Sequence, residues 1–595
     1  MKKILLLLIL PLCIHAQKNS VKQENLYQLT ITDTNHHLAT VDIKFTGVVT
    51  RTFNVKLPNW RTGKYKILDL ASNIRHFQAF DARKTPLRAT KINKNTWKIF
   101  INTPGVVNVS YQVYANQLHN RVSHIDGTHA FLDASGVFMY SESQRHKALG
   151  VQLHVPGTWR SDSGLKRLAK HKFYASNYDQ LIDSPIESGI HSYDSFSVDS
   201  LQYELIIWGD GNYQSQRLIK DIKKIHHQAK AIWKTFPFKR YVYIFHVGDK
   251  LHGATEHVNS TVIHADRFAF DPKEKYNKVI GTTAHEFIHT WNVKSYRPAG
   301  ITPYDYDKEN YSHLFWIAEG STSYFENILN TRAGIYSLEE CFENFAEDIY
   351  KYLNKPGKNV TSLAESSFDT WLDNDTSRQH NTMVSIYLKG SLVSWLLDKE
   401  VRKYSNNNNS LDDLHQQLYL RYGQSSQAYS SANVLQILQE LTQHDFTEFW
   451  QKYVDGTEEI DFESLLKFYG LTFEKIKKSE NKAQENISLG LNIKDDSRQN
   501  IISLVHKNGA AWQAGLAQGD RLVAINTLQV TADNFDSLLQ SLKIGESYLV
   551  HYFHQGKLMQ STIIPQRVQV IKRKIVKVKN PSKKQRQHFA SWLHR

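Results

Sequence analysis

The sequence predicts a multidomain protein with an all-β N-terminal domain, a middle domain that is α/β at its start and mostly α after it, and a small β-rich domain near the C-terminus. Three observations carry that reading. Apolar and polar residues alternate in short runs over residues 25–195. From about residue 200 the apolar spacing changes to the helical period, and a charged, polar stretch at 475–486 then separates the middle region from a second set of alternating segments. At 595 residues the chain also exceeds one ordinary domain.

Residues 1–16 read as an export signal. Lys2 and Lys3 precede the apolar run Ile4–Leu10, and Ala16 is a small residue suited to cleavage. The run is too short for a bilayer span, and no later stretch is long and apolar enough to be one. Cys13 raises lipid anchoring, but Leu12 stands where such signals need a small residue, so simple cleavage and a periplasmic or secreted protein are expected. Past the signal only Cys341 remains, so no internal disulfide can form and the core must hold the fold. The formal charge of +15 is spread out, with a local excess at Lys572–Arg586. With no helix–turn–helix or zinc-finger spacing, it reads as a solvated surface and not as a nucleic-acid footprint.

In the N-terminal domain (25–195) the expected strands are Leu26–Thr32, Leu38–Phe45, Arg51–Leu57, Thr96–Ile101 and Val106–Tyr114. The middle domain (200–474) opens with strand-like Tyr203–Trp208 and Tyr241–Val247. Between them Leu218, Ile219, Ile222, Ile225, Ala229 and Ile232 recur at helical spacing. Helices are expected over Lys278–Val293, Leu314–Leu329, Ser385–Lys403 and Asp445–Val454, with an Asn-rich loop at Ser405–Ser410. Residues 475–486 read as a linker, 487–570 as the small β-rich domain and 571–595 as a basic tail.

The chemistry-bearing segment runs from Ala284 to Asn292. His285 and His289 are four apart and so share one face of a helix, where both imidazoles can reach a single ion. Zinc takes nitrogen and oxygen ligands and, in catalytic sites, keeps one position for water. Glu286 points toward the same spot and suits a base that activates that water. The surrounding Val279, Ile280, Ala284, Phe287 and Ile288 mark a buried helix, in which two histidines and a glutamate would be costly without a partner. Glu319, set among large apolar residues on a second helical segment, is the candidate third ligand of one Zn2+ ion; Glu326 either supports the site or faces solvent.

The pairing of HEFIHTWNVKSYRP with WIAEGSTSYFE resembles the gluzincin metallopeptidases, most closely the glycyl aminopeptidase family. Three further stretches resemble the same family: LPNWRTGKYKILDLASNI (57–74, with Thr62 where a proline is usual), SLAESSFDTW (362–371) and IYLKGSLVSWLLD (386–398). The resemblance implies a β-rich N-terminal domain, a thermolysin-like catalytic domain and a PDZ domain. It also implies a zinc aminopeptidase preferring glycine, then alanine, at the N-terminus of peptide substrates. Under it Glu256, beside Gly253 on a loop after the Tyr241–Val247 strand, would bind the free α-amine, and Tyr387 would steady the oxyanion. Ala254 and Thr255 stand where the family often has Gly and Leu. Asn292, Lys294 and Arg297 are expected to be structural or to support the site from behind, with no catalytic role.

The run from Gly509 to Asn526, with its Ala-Gly-Leu, Gly-Asp and Ile-Asn elements, resembles a PDZ domain. Leu489, Gly490 and Leu491 would then cradle the C-terminal carboxylate of a bound peptide. Two rivals stay open: an endopeptidase on the same scaffold, and a PDZ peptide-binding protein with a structural metal site.

Overall fold

The computed structural model describes residues 24–594 apart from 120–121, 373–375, 424, 475–486, 497–498 and 568–571. The expected export signal and the expected linker lie outside the described residues.

The N-terminal region is all β, as alternation requires. Along Leu38–Val48 the inward residues Ala39, Val41, Ile43 and Phe45 are buried, and along Gly105–Tyr114 so are Val107, Val109, Tyr111 and Val113. These two strands pair with each other in a seven-stranded sheet. Thr52–Lys56, Thr96–Phe100 and Ala89–Lys91 form a separate three-stranded sheet, and a five-stranded sheet runs from Arg160–Ser163 to Asn116–His119.

The middle region begins with another five-stranded sheet, in the order Ser192–Val198, Leu201–Trp208, Arg240–Gly248, Ser260–Asp266, Ala254–Glu256. Its Arg240–Gly248 strand lies between two parallel neighbours and is buried from Tyr241 to Val247, hence its apolar run from Tyr241 to Phe245. The helix Ser215–Trp233 buries all six residues whose spacing predicted it. After the sheet the chain is mostly helical. One apolar core runs continuously through the N-terminal and middle regions, while the C-terminal β-rich domain has a core of its own around Leu489, Ile502, Leu522 and Val550. Among the described residues no helix is long and apolar enough to cross a membrane.

The segment expected as a basic tail is instead folded onto the middle domain. Ile575–Lys577 pairs antiparallel with Leu471–Phe473, and Lys583–Leu593 is a helix opened by a Ser582/Gln585 capping box. Trp592 and Leu593 are buried; the Trp592 indole donates to the Tyr324 hydroxyl (2.9 Å), and Arg332 donates to the Trp592 carbonyl. The lysines face outward, which is why composition alone suggested a tail.

The N-terminal and middle domains also meet through a buried chain of imidazoles around one carboxylate. His124 Nδ1 lies 2.8 Å from His129 Nε2, and His129 Nδ1 lies 2.9 Å from Glu187 Oε1. Glu187 Oε2 is 3.0 Å from His246 Nε2, whose Nδ1 is 3.0 Å from His264 Nε2. Burial alone would raise the Glu187 pKa, but His129 and His246 outweigh it and hold the carboxyl well below its usual range. A depressed carboxylate stabilises the fold above its unfolded pKa of about 4.3 and loses that contribution as pH falls toward the folded value. Glu187→Gln is therefore expected to cost about 3–5 kcal/mol near neutral pH. In urea titrations its deficit against wild type should shrink as the pH drops below about 4.

Candidate active site

His285 and His289 lie one turn apart at the end of the buried helix Lys273–Ile288, with ring centroids 4.7 Å apart. Each has its Nδ1 engaged. His289 Nδ1 meets the Asn292 carbonyl at 2.8 Å, so Nδ1 carries the proton and Nε2 is left as a donor to an ion. His285 Nδ1 meets Glu326 Oε2 at 3.2 Å, which places Glu326 behind His285. Glu319 Oε2 stands 3.3 Å from His289 Nε2 and 3.8 Å from His285 Nε2. The three donor atoms lie within 4.8 Å of one another.

These donors fit the expected zinc ion. Two imidazole nitrogens and a carboxylate oxygen are its usual ligands, and outer partners on the imidazoles are how such ligands are oriented. The separations of 3.3 and 3.8 Å are looser than a typical hydrogen bond and suit atoms that share a cation. The His129–Glu187–His246 group contrasts with this, being closed at 2.9 and 3.0 Å by direct hydrogen bonds.

Local backbone features bring Glu319 to the pair. It sits in a π-helical turn, Trp316–Gly320, that leads into the helix Ser321–Arg332, and not within a regular helix. The Asn292 side-chain amide ties the two ligand segments together through the carbonyls of Ile317 (2.8 Å) and Ala318 (3.1 Å) and the Thr322 hydroxyl (3.0 Å). Val293 follows at φ 104°, a conformation a β-branched residue adopts only under constraint. Lys294 then turns to the buried Asp183 and to Thr62 Oγ1 (3.1 Å). Gly320 lies against Gly390; a Cβ at 320 would come within 2.5 Å of the Gly390 Cα. That close approach seats the Leu388–Tyr404 helix, and Tyr387 before it, beside Glu319. The Tyr387 ring is 6.3 Å from that of His285 and is 45% exposed, open to the cleft.

Glu286 is buried, and among the described residues its Oε2 has no hydrogen-bond partner. Burial pushes its pKa up to about 7, with His285 and His289 opposing the rise. Glu319 moves the other way: burial would raise it, but His289 and His285 hold it well below the carboxylate range.

Glu256 lies not on a loop but on the short edge strand Ala254–Glu256, after Gly253 at φ 96°. Its neighbour strand occupies one edge only, so the other can take an extended peptide. The Glu256 carboxylate is buried, its Oε1 likewise without a hydrogen-bond partner among the described residues. A Cβ on Gly63 of the N-terminal domain would lie 2.5 Å from its Oε2. Sequence reasoning missed Tyr65, whose hydroxyl donates to Glu319 Oε1 at 2.7 Å. Its one available signal was its place in the 57–74 stretch. At the C-terminal domain, Leu489 and Leu491 are buried around Gly490, whose φ is 68° and whose carbonyl accepts from His506 N at 2.8 Å.

Comparison with known proteins agrees with this architecture. Residues 26–190 match the model of the peptidase M61 N-terminal domain, residues 278–393 that of M61 glycyl aminopeptidase, and residues 501–547 a PDZ domain. No curated protein matches the chain. The crystal structure of an aminopeptidase N family protein from Idiomarina loihiensis is 26% identical, with a TM-score of 0.88 over 96% of this chain and 100% of that one. An M1 zinc metallopeptidase from Deinococcus radiodurans is 12% identical, with a TM-score of 0.49 over 74% of this chain and 94% of that one, too distant to bear on the site. The chain thus carries regions that match the M61 peptidase N-terminal domain and M61 glycyl aminopeptidase, followed by a PDZ domain toward its C-terminus.

Proposed function

We propose that the protein is a zinc-dependent aminopeptidase that removes small N-terminal residues, glycine or alanine, from peptides. The observation that carries this reading is a pair of buried carboxylates, Glu256 and Glu286, each with an oxygen that has no hydrogen-bond partner among the described residues, beside the His285–His289–Glu319 donors. One such group is what a substrate ammonium needs, and the other is what a reacting water needs.

His285, His289 and Glu319 would hold one zinc ion, which supplies Lewis acidity toward the scissile carbonyl and acidifies water. Glu286 takes the proton of the attacking water and passes it to the departing amine. Glu256 accepts hydrogen bonds from the substrate's α-ammonium and so counts residues from the free end. Tyr387 donates its hydroxyl to the oxygen on which negative charge develops. Beside Glu256 lies a cavity of only about 10 Å³, walled by Trp60, Val293, Ile301 and Trp371. That is room for roughly one water or methyl group and suits a glycyl or alanyl side chain.

The PDZ domain is proposed to take a peptide C-terminus at Leu489, Gly490 and Leu491. The strand Leu491–Asp496 that follows is an edge strand of its sheet, so a peptide can add to it. Residues 1–16 are read as the signal that exports the enzyme to the periplasm or beyond.

A panel of aminoacyl-amide reporters tests the substrate reading. Glycyl and alanyl amides should turn over faster than leucyl amides, N-acetylated glycyl amides should not turn over, and comparable rates on blocked substrates would reject an aminopeptidase. Glu286→Gln is expected to lower kcat by about 10²–10⁴-fold with zinc retained. Tyr387→Phe should lower it by about 10²–10³-fold with little change in KM.

A further inference from the structure

The 57–74 segment belongs to the N-terminal domain, yet it reaches the metal donors. Both sides of its tip are pinned. The Trp60 indole donates to the Asp305 carbonyl at 2.6 Å, buried Arg61 pairs with Asp133 at 3.0 Å, and Thr62 Oγ1 lies 3.2 Å from Asp183. Lys64 N closes a turn on the Arg61 carbonyl at 3.2 Å, with Gly63 inside it at φ 83°. Tyr65 leaves the turn with its ring 4.1 Å from that of Phe315 and its hydroxyl on Glu319 Oε1.

We propose that this turn is a working part of the active site. Tyr65 is a positioning residue that fixes the Glu319 carboxylate, and Gly63 leaves the space in which the Glu256 carboxylate stands. The inference rests on the metal reading given above. Each histidine ligand has its outer partner from the catalytic domain, the Asn292 carbonyl for His289 and Glu326 for His285. Tyr65 is the matching partner for the third ligand and comes from another domain. A glutamate on three rotatable bonds can present either oxygen or both to an ion. A phenol held on Oε1 commits Oε2 to the side where the two imidazoles converge. At Gly63 the constraint is steric and conformational at once. Any side chain there would sit in the left-handed region and collide with the Glu256 oxygen meant for substrate.

The test uses the full chain. Tyr65→Phe keeps the ring on Phe315, so metal-free thermal melting should stay put. Zinc affinity from chelator competition, measured below the melting range, should fall by about 10–100-fold, and the visible spectrum of the cobalt(II)-substituted protein should shift. Gly63→Ala should raise KM for free-amine peptides while zinc affinity stays at the wild-type value. If Tyr65→Phe binds zinc as tightly as wild type with an unchanged cobalt spectrum, the role of Tyr65 is overturned while the metal reading stands. An unchanged KM in Gly63→Ala overturns the role of Gly63. A wild-type protein that binds no zinc overturns the metal reading and this inference with it.

Discussion

The active site depends on one constraint: two imidazole nitrogens and a carboxylate oxygen are held within 4.8 Å of one another. Glu187 closes directly onto His129 and His246 at 2.9 and 3.0 Å, whereas Glu319 stands 3.3 and 3.8 Å from its two imidazoles. Each donor is restrained from behind, by a backbone carbonyl, by Glu326 and by Tyr65. The site therefore presents three donor atoms at a spacing that a single ion can satisfy. The strained Val293 backbone and the Gly320–Gly390 contact are local costs of holding that geometry.

The same constraint explains why the domains share a core. A site built from the Lys273–Ile288 helix, a π-helical turn, an edge strand and an N-terminal turn keeps its spacing only if those parts cannot slide. The continuous apolar core, the buried Asp183–Lys294 pair and the imidazole chain around Glu187 all tie the N-terminal region to the catalytic one. The PDZ domain, with its separate core, sits between Leu471–Phe473 and Ile575–Lys577, two strands that pair with each other on the catalytic domain. Both of its ends are thereby returned to the enzyme body.

Much of this was legible in the sequence because it rests on local periodicity. The Leu218–Ile232 spacing marked a helix, Leu38–Phe45 and Val106–Tyr114 marked half-buried strands, and the four-residue interval from His285 to His289 marked a shared face. Glu319 was reached through its apolar setting and the family resemblance. What escaped depends on contacts between distant segments. Tyr65 meets Glu319 across 254 residues, and its place in the 57–74 stretch does not say which residue it meets. The imidazole chain gathers histidines from four strands of two sheets. The C-terminal helix was hidden by its lysines, although Phe589, Trp592 and Leu593 form an apolar stripe that needs a surface to cover. Glu256 was placed on a loop because a three-residue edge strand is too short to show alternation.

Zinc-edge X-ray absorption on the purified full chain tests the central claim most directly. The account predicts one zinc per chain with two imidazole nitrogens and a carboxylate oxygen at about 2.0–2.2 Å. It also predicts that His289→Ala removes the metal or one imidazole from the shell. A zinc shell unaltered by His289→Ala, or a protein that takes up no zinc, would contradict it.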